Sequence, residues 1–255
     1  MYFSKQDGFP TDKIAGQPCK NLRDDFCCNV HNDLKKLGLK GCIAYDCFGA
    51  GQKVAQVTFK DQNWKNSPNL SKQMFEVFLI MRQLHELLWY LLEASMYEEA
   101  HSLHENIHSM IEILKNDTFL SPKVIMELDI TKKWSDVNCL LIRTSELVRD
   151  QKNQELKLPF KYKKTFNGRA DLFAADLRKV NLSQANLRGA CLIAADAKGV
   201  DFTRADLIGA DLRDTDIRGA DLSKSIFLTQ SQINVAKGDI NTKLPSSLTR
   251  PIEYY

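Results

Sequence analysis

The chain has 255 residues, with 35 Lys and Arg against 32 Asp and Glu and a formal net charge of +3. That near balance excludes a polycation or polyanion, and the length suffices for two domains. The start, MYFSKQDGFPTDK, has no apolar stretch, so a secretory leader is not expected, and the seven cysteines are expected to be reduced or metal-bound in a cytoplasmic protein.

Residues 1–70 form a cysteine-rich segment of irregular sequence. Cys19, Cys27, Cys28, His31, Cys42 and Cys47 lie within 29 residues. The spacings Cys28-x-x-His31 and Cys42-x4-Cys47 suit a four-ligand Zn²⁺ site, with Cys19, Cys28, Cys42 and Cys47 as ligands and His31 competing for a place. Buried or disulfide-paired cysteines are the alternative. Gly49-Ala50-Gly51 lacks the third glycine and the strand–helix context of a dinucleotide-binding turn.

Residues 71–155 read as a small helical bundle. Ser71 is the expected cap of a helix through Met74, Phe75, Phe78, Met81, Leu84, Leu88 and Leu91, whose apolar positions run most of the way round and imply burial. Glu76, Arg82, Gln83, His85 and Glu86 interrupt this segment, so it is not expected to span a membrane. Ser95 with Glu98 predicts a capping box for a second helix to about Lys115. Ser121-Pro122 predicts the start of a third, and the stretch with Trp134, Val137, Leu140, Leu141, Leu147 and Val148 continues or follows it. His85-Glu86-Leu87-Leu88-Trp89 departs from the HExxH zinc pattern at its last position. His101, His104 and His108 share one helix face, read as polar surface rather than a metal or pH-sensing cluster. Lys152–Lys164 reads as a basic linker.

Residues 165–229 carry the strongest pattern. From Ala170 to Thr229 the chain reads as twelve five-residue units, ADLFA, ADLRK, VNLSQ and onward to SIFLT. The first position is small or β-branched, the second mostly Asp or Asn, and the third Leu, Ile or Phe except at Ala197. Five is neither a helical nor a strand period, and a short fixed period with one large apolar residue per unit marks a solenoid. The units resemble the A(D/N)LXX repeats of the pentapeptide-repeat family, and the resemblance implies a right-handed quadrilateral β-helix. With four units per coil, Leu172, Leu192 and Leu212 stack in one interior column. The others are Leu177–Ala197–Ile217, Leu182–Phe202–Leu222 and Leu187–Leu207–Phe227. Three coils at strand-like spacing rise about 14 Å. The segment after Leu228, through Gly238 and Pro245, resembles the closing segment of bacterial members. Residues 230–255 are expected to cap the open end with a short helix stopped by Gly238 and an extended piece. The segment Gly41–Gln52 resembles one in bacterial members with an N-terminal extension. The fold class is thus α plus β-solenoid.

Function is expected on outward positions. Arg178, Lys198 and Arg218 stack beside Asp176, Asp196 and Asp216, read as a solvated face whose charges cancel. Phe173, Ile193, Ile208 and Leu228 form an apolar wall, expected to be an interface with the helical bundle or with a second copy of the chain. No Ser/His/Asp or Cys/His nucleophile arrangement is evident, so no enzyme is expected. The sequence points to a non-catalytic interaction or scaffold protein with an unidentified protein partner. A metal- or redox-responsive regulator is the second reading. Topoisomerase protection by DNA mimicry, known for some family members, is disfavoured because block 166–229 has nine acidic and nine basic residues and is short. Membrane and nucleic acid are not expected partners.

Overall fold

In the computed structural model of the protein, backbone pairing in the repeat block recurs every twenty residues. The structure describes residues 3–5, 8–14, 19–23, 25, 27–60, 62, 64–65, 67–149, 165–166 and 168–255. These divide into two compact units, one joining Met1–Asp46 to Arg149–Tyr255, the other spanning Cys47–Val148. The division crosses the expected segment 1–70, whose first part goes with the repeats and whose remainder goes with the helices. Most of the linker Lys152–Lys164 lies outside the described residues.

In the helical unit, α2 (Ala50–Gln52) runs into a π-helical stretch, Lys53–Thr58, and then α3 (Pro68–Ala94). Helix α3 starts three residues before the expected cap. Ser67 occupies the N-cap, with Pro68 in the first turn where its missing N–H costs nothing. Met74, Val77, Met81, Leu84, Leu87, Leu91 and Ala94 are buried at helical spacing, whereas Leu79 and Leu92 are exposed. The helix thus buries one face rather than its whole girth. That face meets α4 (His104–Asp117), α5 (Pro122–Met126) and α6 (Ile130–Val148). The expected capping box at Ser95 is absent. The Ser95 hydroxyl donates to the Leu92 carbonyl instead, and a 3₁₀ turn, Glu98–Leu103, precedes α4. Trp134 Nε1 donates to Gln83 Oε1 at 3.1 Å and ties α6 to α3.

In the other unit, α1 (Lys40–Ile43) belongs to the N-terminal segment, and β1 (Thr165–Phe166) pairs antiparallel with β2 (Arg169–Ala170) ahead of the repeats. The repeats pair through isolated parallel bridges, among them Asp171↔Cys191, Cys191↔Asp211, Asp176↔Asp196, Asp196↔Asp216 and Asp201↔Asp221. Unit 195–199 shows how one repeat satisfies its backbone. Ala195 N donates to Leu192 O and closes a turn; Asp196 N donates to Ala175 O, and Ala197 N to Asp216 O. Gly199 N donates to Arg218 O, and Lys198 N donates to the unit's own Asp196 Oδ1 at 3.3 Å. All five N–H groups are used. The fifth residue has positive φ in most units, as at Gly199 (66°), Ala194 (57°) and Arg204 (59°). That sign is what the third position of a type II turn requires, and a non-glycine residue there costs about 1 kcal/mol.

The third-position side chains Leu172, Leu177, Leu182, Leu187, Leu192, Phe202, Leu207, Leu212, Ile217, Leu222 and Phe227 are all buried, together with the first-position residues other than the half-buried Ala170 and Val180. Thr215 takes the place of an alanine by donating its hydroxyl to Leu192 O at 2.7 Å. The last unit departs from the template. Ile226 and Leu228 both turn inside, because the chain there bends into α7 (Gln230–Val235), which Thr229 and Gln232 start with a reciprocal capping box.

The closing segment extends the stack rather than merely covering it. Lys237 bridges Asp216, and Lys243 bridges Asp221, so two columns gain a further rung. Helix α7 ends at Val235, before Gly238. Gly238 instead gives Tyr254 room: a Cβ there would stand 2.1 Å from the Tyr254 ring. The Tyr254 side chain is 2% exposed, and its hydroxyl donates to Ile233 O at 2.8 Å. Gln232 Nε2 reaches Leu207 O and Ala210 O at 2.8 and 2.9 Å, occupying carbonyls at the end of the stack.

Two stability predictions follow from these contacts. Truncating Tyr254→Ala should destabilise the repeat unit by about 3–5 kcal/mol in chemical denaturation, with the helical unit's transition unmoved. In unit 190–194, Cys191 replaces the usual Asp or Asn, so among the described residues the Ile193 N–H has no second-position carboxylate or amide oxygen of the kind its equivalents use. Cys191→Asp should supply it and raise stability by about 0.5–1.5 kcal/mol; a lower melting temperature would contradict that account.

Candidate functional site

The second-position Asp and Asn side chains set the outward surface of the repeats. Asp171, Asp176, Asn181, Asn186, Asp196, Asp201, Asp206, Asp211, Asp216 and Asp221 each accept from the backbone N–H two residues later. These residues are therefore scaffold, and the fourth-position side chains projecting between them carry whatever recognition the surface has.

On one face those side chains form an ion-pair ladder. Arg178 Nη2 lies 2.9 Å from Asp176 and its Nε 3.5 Å from Asp196. Lys198 bridges Asp196 and Asp216 at 3.2 and 3.3 Å, and Arg218 closes the series on Asp216 at 2.7 Å. Cations and carboxylates alternate across successive rungs, so this face has no strong field of either sign. The Arg218 guanidinium, bonded to Asp216, is the largest cause holding that carboxyl down to about 2. On another face, Arg188 Nη1 lies 3.0 Å from the fully buried Asp206 carboxylate.

The expected apolar wall is smaller than the sequence implied. Phe173 is 62% exposed, Ile193 and Ile208 are half-buried, and Leu228 is inside the core at 3% exposure. Leu228 fails as a surface residue because the last unit folds into the cap.

The candidate metal ligands are not brought together. Cys19, Cys28, His31 and Cys42 fall in the repeat-containing unit and Cys47 in the helical one. Among the described residues no group of three His, Cys, Asp or Glu converges as a metal site, so the expected zinc site has no support in this geometry. An antiparallel bridge pairs Leu22 with Cys28, and Cys19 Sγ accepts from Asn21 N at 3.5 Å. Burial pushes the Cys42 thiol up, with Cys19 and Cys28 adding to the effect. In the helical unit His101, His104 and His108 do share a face, with ring centroids 5.2 and 6.2 Å apart, and His104 Nε2 lies 3.1 Å from Tyr97 O.

A group that sequence reasoning missed lies where the N-terminal segment meets the end of the repeats. Lys40 Nζ on α1 is 2.9 Å from Asp214 Oδ2, and Lys237 Nζ is 3.6 Å from Asp214 Oδ1. Lys35 pairs with Glu253 at 3.1 Å. Lys40 and Asp214 are 174 residues apart, and no local pattern signals a contact at that separation.

The ladder generates a pH prediction. Asp216 has a folded pKa below its unfolded value, so its contribution is full above about pH 4 and is lost as pH falls towards 2. Asp216→Asn keeps the turn-forming acceptor, as Asn181 and Asn186 do, and removes the charge. The variant should be less stable than the parent at pH 7, and the difference should close between about pH 4 and pH 2. Urea titrations across that range measure it.

A pentapeptide-repeat family model matches residues 168–204 and 192–224 with eight copies of the repeat. The uncharacterized protein YybG of Bacillus subtilis (strain 168) is 49% identical over 252 residues, covering 99% of this chain and 88% of that protein. Among solved structures, the pentapeptide repeat protein Rfr23 from the cyanobacterium Cyanothece 51142 aligns over 34% of this chain and 71% of its own, with 24% identity and a TM-score of 0.25. With its repeats matched and a relative similar along nearly its whole length, the chain belongs to the pentapeptide-repeat family.

Proposed function

We propose that the protein is a non-catalytic, cytoplasmic interaction module whose repeat block, a right-handed four-sided β-helix, presents its outward side chains to a protein partner. Phe173 carries this reading. It is an aromatic side chain, mostly exposed, on a backbone fixed by bonds to the next rung: Leu172 N donates to Cys191 O and Ala174 N to Ile193 O. A rigid aromatic anchor beside the half-buried Ile193 suits a protein surface better than water does. The covering partner is a second copy of the chain or another protein. Among the described residues no helix is long and apolar enough to cross a membrane.

A redox-responsive role for the N-terminal cysteines is not favoured, because burial raises the Cys42 thiol and so lowers its thiolate fraction. DNA mimicry is not favoured, because the ladder on the repeat surface alternates in sign.

The variant Phe173→Lys with Ile193→Lys tests the first reading. Both positions are exposed or half-buried, so stability of the repeat block should change by no more than about 1 kcal/mol. Proteins that co-purify with the parent from native cells, or the mass of a dimer in solution, should be lost. Retention of every such association at unchanged stability would refute the interface.

A further inference from the structure

Within the repeat-containing unit, α1 and the residues before it leave a cleft of about 310 Å³ against the end of the stack. Lys35, Lys40, Arg213 and Lys237 stand around it with one carboxylate, Asp214. Ile43, Ala44, Val235 and Ala236 supply its apolar lining.

The charges do not cancel. Lys35 is held by Glu253 and Arg213 by Asp211, and neither acid lines the cleft. Asp214 alone faces two ammonium groups, Lys40 at 2.9 Å and Lys237 at 3.6 Å. That leaves one positive charge in surplus, and Lys237 is the cation whose contact is long enough for a second anion to compete. The lysine is also well placed to wait for one. Its backbone is fixed by N donating to Thr215 O at 2.8 Å and O accepting from Ile217 N at 2.8 Å, while its side chain is 60% exposed. Bonds from Lys40 chiefly keep Asp214 below the usual carboxylate range, so at neutral pH the acid stays charged and cannot be the group that wants filling.

A cationic rim over an apolar lining recognises a charged head and an apolar body together. The volume is at the lower end of small-molecule sites. We propose that this cleft binds a small amphipathic anion: an aromatic or short aliphatic body bearing one sulfonate, carboxylate or phosphate. A metal cation does not fit a rim with a surplus positive charge.

The test uses the full chain with anilinonaphthalene sulfonate as probe and phenylnaphthylamine as its uncharged analogue, followed by fluorescence. The sulfonate should saturate near one equivalent and bind at least about tenfold more tightly than the analogue. Lys237→Glu should weaken it by about tenfold, and Lys237→Met by less. Asp214→Asn, a residue tolerant of the left-handed backbone at that position (φ 57°), should tighten it. Lys224→Glu, an exposed lysine outside the cleft, should leave it unchanged. Circular dichroism checks that each variant is folded, and Lys237→Met carries the test if Lys237→Glu is not. Equal binding of the uncharged analogue, equal loss in Lys224→Glu and the Lys237 variants, or no loss in the Lys237 variants overturns the proposal.

Discussion

The hydrogen bond that each second-position Asp or Asn accepts from the N–H two residues later is the constraint on which the repeat block rests. A unit of five residues has five backbone donors. Pairing with neighbouring rungs and the corner turn use four of them, as in unit 195–199. The fourth residue's N–H points along the outside, where no backbone carbonyl meets it, and the acidic or amide side chain supplies the acceptor. With the backbone settled, the third residue can be large and buried and the first small, since both are released from any polar duty. The outward charge pattern is a by-product: an aspartate required by the backbone attracts an arginine or lysine two residues on, and stacking turns such pairs into the Arg178–Lys198–Arg218 ladder.

The same accounting governs the end of the stack. A rung with no successor would leave the Ala210, Thr215 and Ala220 carbonyls without the donor that earlier rungs receive. The Gln232 side chain and the Lys237 and Lys243 backbone N–H groups supply it in turn, and the Thr242 hydroxyl gives Ile217 O a second donor. Tyr254 then fills the apolar space that Gly238 leaves open. The cap is therefore a set of substitute partners, built from polar side chains that have no counterpart in the repeats.

Strict periodicity made the interior of the repeats legible from sequence. Each leucine column follows from a five-residue template and a four-unit turn, and those side chains are buried. Legibility stops where a residue's role depends on a partner far along the chain. Leu228 obeys the template by position but enters the core because α7 follows it. Gly238 looks like a helix stop, yet its neighbour Tyr254 decides its identity. Ser71 and Ser95 are plausible caps by local chemistry, but the helices begin where Pro68 and a 3₁₀ turn put them. Of the candidate ligands only Cys47 falls in the other compact unit, and spacing along the chain does not fix whether the remaining side chains converge in space.

The division of the chain also has a consequence for its synthesis. Residues 47–148 form a continuous unit, whereas the other is assembled from segments on either side of it. A ribosome delivers the helical unit whole before the first repeat has emerged, and that unit can fold at once. The first 46 residues must wait, because Lys40 meets Asp214 and Lys35 meets Glu253. Closing contacts across so many residues is slow, and the last rung cannot be sealed until Tyr254 has emerged. Until then the nascent chain carries an unfinished edge, and a chain cut short before Tyr254 would keep it.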